Sequence, residues 1–196
     1  MATRLARWLG AALVAAVALG CGTSAPSRFY TLASTATGDR APAVGTGVMV
    51  GPVSVPASVD RPEFVVQIAP NRVEIDEFNR WAAPLGEGIA RTVAGDLAAL
   101  LGTPDVATAP FANFDPVYRV TINVQRFDSV QGDSVLVEAV WAVRETAGGK
   151  TRSGRTVARE ALQGEGFDAL AAAHSRALAK LSADIAAAIR AASDTP

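Results

Sequence analysis

From residue 118 to residue 125 apolar and polar side chains alternate without a break. Tyr118, Val120, Ile122 and Val124 fall on one face, and Arg119, Thr121, Asn123 and Gln125 on the other. A period of two predicts a strand with one buried face. A turn at Gln131-Gly132-Asp133 follows, and Val135, Val137, Ala139, Trp141 and Val143 share one face of the next strand. Ala147-Gly148-Gly149-Lys150 reads as a hairpin turn, which leads into a more polar outer strand over 151–163.

Elsewhere the period is helical. Leu85, Ile89, Val93, Leu97, Leu100 and Leu101 recur at steps of three and four, the pattern of a helix that buries one stripe. Pro84 suits its start, where a missing N–H costs nothing, and Gly102 with Pro104 stops it. Glu87, Arg91 and Asp96 lie off the stripe. A second helix runs from about 167 to 192, with Leu170, Leu178, Leu181, Ile185 and Ile189 as its stripe and many alanines that favour the helix. Upstream, RFYTLAS begins a first strand, 35–46 is a Gly- and Pro-containing loop, and 47–56 is a second strand. Pro52 places part of that strand at an edge or a bulge. Residues 63–68 and 72–78 form two strands around an Ala69-Pro70-Asn71 turn. Together these elements predict an α/β fold: a single domain with a mixed β-sheet and two long helices packed on it.

The first 21 residues read differently. Arg4 and Arg7 precede an uncharged run, Trp8 to Gly20, that is short for a bilayer span of about 20 residues. A charged start, a short apolar stretch and small residues before a cut site describe a secretory signal. The only cysteine, Cys21, follows it directly. This stretch resembles a bacterial lipoprotein signal, which implies cleavage before Cys21 and lipidation of its thiol. The expected organisation is a signal peptide over 1–20, a lipidated tether over 21–27, a folded domain over 28–192 and a tail over 193–196. One cysteine excludes an internal disulfide and argues against a cysteine-based metal site. Removing residues 1–20 takes away two arginines, so 16 basic residues remain against 19 acidic ones, a formal charge of −3. No basic–aromatic cluster remains, so nucleic acid is not an expected partner. The tether spans roughly 25 Å at most, which keeps the domain close to its membrane.

Candidate chemistry is sparse, and no cofactor is expected. Glu74 and Asp76 share a strand face beside Glu77, but nothing near them in sequence supplies a base or a metal partner, so a solvated face is the favoured reading. His174, the single histidine, faces the apolar stripe of the second helix, where a packed residue with one satisfied nitrogen is expected. Ser175 diverges from it, since adjacent helical residues do not face each other. No G-x-S-x-G elbow occurs, and one histidine does not make a zinc site. GEGFDA at 164–169 matches G-x-G-x-x-A, but the preceding strand is polar and no further strand follows in this sequence, so it reads as a strand-to-helix turn. Trp81, at a helix entrance, is expected to pack. The run Phe64, Val65, Val66, Gln67 and Ile68 is the candidate partner-contact strand: at a sheet edge its backbone accepts a partner strand, whereas in the sheet interior it is an ordinary core strand.

The order of motifs resembles the PqiC/YmbA family of auxiliary lipoproteins of ABC-type transport systems. The matching pieces are the lipobox cysteine, RFYTL, VGPVSVPASVDRPEFVVQ, RWAAPLGEGIARTVAGDLAALLG and the alanine-rich final helix. Gln67 departs from the arginine expected in many relatives. The resemblance implies a non-enzymatic domain on the periplasmic side of the outer membrane, anchored by lipidated Cys21. It further implies work beside MCE-type proteins and an ABC permease in intermembrane lipid transport. For a protein that caps a tunnel, self-association into a homo-oligomeric ring is also an expectation. A lipid carrier, or less readily an envelope hydrolase, is the alternative reading.

Overall fold

The computed structural model describes residues 25–38, 47–111 and 114–193. The expected signal peptide, Cys21, the first part of the tether, the end of the 35–46 loop and residues 194–196 lie outside the described residues. The elements, in order, are β1 (Arg28–Tyr30), β2 (Val48–Ser54), β3 (Glu63–Ala69), β4 (Arg72–Trp81), α1 (Leu85–Leu101), β5 (Val106–Ala107), β6 (Tyr118–Val130), β7 (Ser134–Glu145), β8 (Thr151–Ala161) and α2 (Gly166–Ser193).

The long alternating strand β6 organises the sheet. One of its edges pairs antiparallel with β7, which pairs antiparallel with β8, as the turns at 131–133 and 147–150 predict. Its other edge is shared. The first half pairs parallel with β2, and Ser129 and Val130 pair parallel with Val66 and Gln67 of β3. The sheet therefore forks at β6 into a β2–β5 branch and a β3–β4–β1 branch. Strict alternation of buried and exposed residues holds from Tyr118 to Val124. The register then slips before Arg126, and Phe127 and Ser129 become the buried positions. One extra residue in a bulge shifts the phase of a strand in this way. A second irregularity lies between Val50 and Val53, at Pro52, as its missing N–H requires.

Both helices join one apolar core with the inward face of the sheet. Leu85, Ile89, Val93, Leu97 and Leu101 of α1 are buried, as are Leu178, Leu181, Ile185 and Ile189 of α2. Each such side chain contributes about 1.5–3 kcal/mol by leaving water. The opposite sheet face carries exposed Arg119, Thr121 and Asn123, so the domain has two layers. Gly102 ends α1 in the left-handed conformation (φ 65°), and the N–H of Thr103 reaches back to the carbonyl of Ala98. Trp141 lies over its cross-strand partner Gly154, where an added Cβ would overlap the indole. Its Nε1 donates to Thr156 Oγ1 (3.1 Å), and that hydroxyl donates to Asp184 on α2 (2.5 Å).

Two expectations change. The strand predicted from RFYTLAS ends at Tyr30, because the chain after it finds partners on the helices instead of the sheet. The amide of Ala33 donates to Ser175 Oγ (3.1 Å), and the amides of Thr35 and Ala36 both donate to Asp96 Oδ1 (2.9 Å each). Asp96, which falls off the apolar stripe of α1, is consequently not a surface residue. It is 0% exposed and also accepts from Ser34 Oγ (2.7 Å) and from Ser182 Oγ of α2 (3.0 Å).

Candidate functional site

The β3–β4 hairpin projects from the fork of the sheet. Its turn is closed by Gln67, whose Nε2 donates to the Pro70 carbonyl (3.1 Å). Of the two alternatives for Phe64 to Ile68, a sheet edge or an interior strand, the pairing gives the second: β3 lies between β4 and β6, with its backbone engaged on both sides at Val66 and Gln67. Phe64 and Val66 point into the core, so this run is an interior strand. The open edge is one strand over. β4 pairs with β1 only from Asn79 to Trp81, so on the side away from β3 the edge of Arg72 to Phe78 has no strand partner among the described residues. On the face away from the helices, Val73 is 57% and Ile75 45% exposed.

On the helix side the hairpin borders a cavity of about 430 Å³, a size at which small ligands or side chains are accommodated. Its apolar lining comes from Val66, Ile68, Leu162, Phe167 and Leu170. Glu74, Asp76 and Glu165 supply carboxylates. Asp76 is committed to the fold, because its Oδ1 accepts the amides of Phe78 (2.9 Å) and Asn79 (2.8 Å) and closes the bulge between Asp76 and Arg80. Glu74 and Glu165 have no salt bridge among the described residues. The GEGFDA stretch forms the strand-to-helix turn that its glycines suggest. Gly164 (φ 113°) and Gly166 (φ 77°) hold backbone conformations that side chains resist, and they carry the chain from β8 into α2 along the cavity wall.

The remaining candidates are packing residues. Trp81 stacks on Phe64 (centroids 4.1 Å apart) and meets Phe127 edge-on. His174 stacks on Phe127 (3.9 Å, 6° between planes), is 0% exposed, and shares a 2.9 Å hydrogen bond between Nε2 and Ser129 Oγ. Burial alone holds the imidazole pKa down to about 3, from 6.5, so the ring is neutral at physiological pH. Ser175 donates to the Ala171 carbonyl (2.9 Å) and takes part in the Ala33 contact, with no link to His174. Among the described residues, no group of His, Cys, Asp and Glu is arranged to hold a metal ion. Sequence reasoning missed Asp96, whose partners lie between 60 and 86 residues away in the chain. It also missed the cavity, which needs four separated segments to close.

No curated protein matches the sequence. Two crystal structures share the fold. One, of an uncharacterized protein, has a TM-score of 0.70 at 21% identity, covering 84% of this chain and 99% of that one. The other, of a Xanthomonas campestris protein, has a TM-score of 0.66 at 20% identity, covering 81% of this chain and 92% of that one. The family model described as "ABC-type transport auxiliary lipoprotein component" matches residues 30–186. That match spans all the elements from β2 to β8, with the end of β1 and most of α2, and the chain belongs to this family of auxiliary lipoproteins of ABC-type transport.

Proposed function

We propose that the chain is a periplasm-facing outer-membrane lipoprotein, anchored through lipidated Cys21, that docks an ABC- and MCE-type intermembrane lipid-transport assembly at the membrane. The role is mechanical and non-enzymatic: it holds an MCE-type protein and its ABC permease system in place. The observation that carries this reading is the hold on residues 33–36. The chain that leaves the short tether enters the sheet as β1 beside β4 and is then pinned across both helices by Asp96 and Ser175, so load on the anchor passes through two successive holds into the core. The hairpin that contains Phe64 to Ile68 is the proposed partner contact, through its β4 edge and cavity side, and assembly of several copies into a ring fits a docking cap. An affinity pull-down of the lipidated protein from crosslinked envelopes tests the proposal, with proteins and lipids both identified. Recovery of an MCE protein with its permease is the expected result, and recovery of neither removes the docking role.

The cavity favours a second reading, a lipid carrier, because five of its lining residues are apolar. Native mass spectrometry of the purified protein separates the two: the carrier requires a co-purifying lipid, and the dock does not.

A further inference from the structure

The cavity and the edge of β4 lie at one end of the sheet. That end gathers the β3–β4 turn, the β6–β7 turn at Gln131 and Gly132, and the loop that enters α2. The floor is apolar, and the unpaired carboxylates of Glu74 and Glu165 line the same space. A wholly apolar ligand would leave the exposed Glu74 and Glu165 at the rim without a counter-charge. A phosphate-bearing lipid headgroup would meet like charge. An apolar side chain flanked by cations satisfies both parts of the site. Resting on the docking role above, we propose that this cavity receives an apolar side chain from a segment of the partner protein, with lysine or arginine residues of the same segment on Glu74 and Glu165.

The geometry supports the same occupant in a second way. On the side away from β3, β4 has no strand neighbour among the described residues from Arg72 to Phe78, and Glu74 and Asp76 border the cavity from that strand. A segment lying along the mouth therefore finds acidic side chains on its cavity side and free main-chain groups beside it. The repulsion between like charges also disfavours pairing of this edge with the same edge of a second copy.

The test uses the full lipidated chain in zwitterionic nanodiscs and two dye-labelled peptides, one alternating lysine with leucine and the other glutamate with leucine. Fluorescence anisotropy should show the lysine peptide binding at least about tenfold tighter, and photo-crosslinking should place it on residues 64–76 and 162–170. Glu74→Lys with Glu165→Lys should reverse that preference. Glu87→Lys with Asp105→Lys, an equal charge change at residues outside the cavity lining, should retain most of it. Neither Glu74 nor Glu165 has a side-chain bond among the described residues that holds the fold, and an unchanged melting temperature confirms intact folding. Equal binding of both peptides, indifference to the cavity pair, or crosslinks confined elsewhere would each overturn the proposal. The outcome is separable from the docking role. Envelope recovery of the partner by the cavity variant at wild-type level refutes this contact and leaves docking in place, whereas cavity binding of the lysine peptide without any recovered transport protein refutes docking alone.

Discussion

Replacing Asp96 by alanine should release the segment after β1 from the helices. The carboxylate accepts two backbone amides at 2.9 Å and two hydroxyls at 2.7 and 3.0 Å. The hydroxyls have alternatives: Ser182 also donates to the Leu178 carbonyl (2.8 Å), and exposed Ser34 turns to water. The amides of Thr35 and Ala36 do not. Leaving a donor unsatisfied costs about 1–3 kcal/mol, so two amides set the loss at about 2–6 kcal/mol, with partial solvation of the loosened segment favouring the lower half. Asp96→Asn keeps an acceptor for both amides and places an amide donor by Ser182, so it should cost about 1–2 kcal/mol, mainly the charge assistance. Urea denaturation reads the global term, and hydrogen exchange at Thr35 and Ala36 reads the local one. If the segment detaches alone, exchange there rises by orders of magnitude while the midpoint moves little. An alanine variant within about 0.5 kcal/mol of wild type, with both amides still protected, would refute the reasoning.

Three further outcomes are expected. Below pH 6.5 the unfolded chain protonates His174 while the folded chain, with its imidazole at about 3, does not, so stability should fall as pH drops, by about 1.4 kcal/mol per unit until near pH 3. His174→Gln, which keeps a group to bond Ser129, should flatten that dependence in urea melts at pH 6.5 and 4.5; equal slopes for both proteins would exclude it. Gly154→Val, which drives a side chain into the Trp141 ring, should cost about 1–3 kcal/mol or more, read as a lower melting temperature with altered tryptophan fluorescence. Leu181→Ala, at a fully buried position of α2, should cost about 2–5 kcal/mol in the same melts; a cost below 1 kcal/mol, as for a surface site, would contradict the packing described.

The helices and the β6–β7–β8 meander were legible because their periodicities are local and sustained. Leu85 to Leu101 and Leu170 to Ile189 each repeat over several turns, and 118–124 alternates without interruption. What failed was set by distance. Asp96 reads as a surface residue on its own helix, and only the passage of residues 34–36 over it makes it a core anchor. The interior place of β3 depends on two parallel pairs with the end of β6, more than 60 residues on, which no local pattern encodes. The bulge after Val124 is one residue, too small to disturb a periodicity count. At the candidate site, the turn at 164–166, the packing of Trp81 and the neutral core role of His174 were readable from residue type and position. The cavity was not, since its walls come from separate parts of the chain.

The parallel pairing of β1 with β4 sets a direction. Arg28 stands beside Asn79, so the chain before it approaches from the side where β4 begins, the side of the β3–β4 turn. Under the proposed anchoring at Cys21, a pull on the tether therefore enters the domain through β1 and loads the β1–β4 pairs in shear, along the strand direction. The proposed partner contact on the same hairpin takes up that pull one strand away, so tether and partner strain one small β-unit before the rest of the sheet.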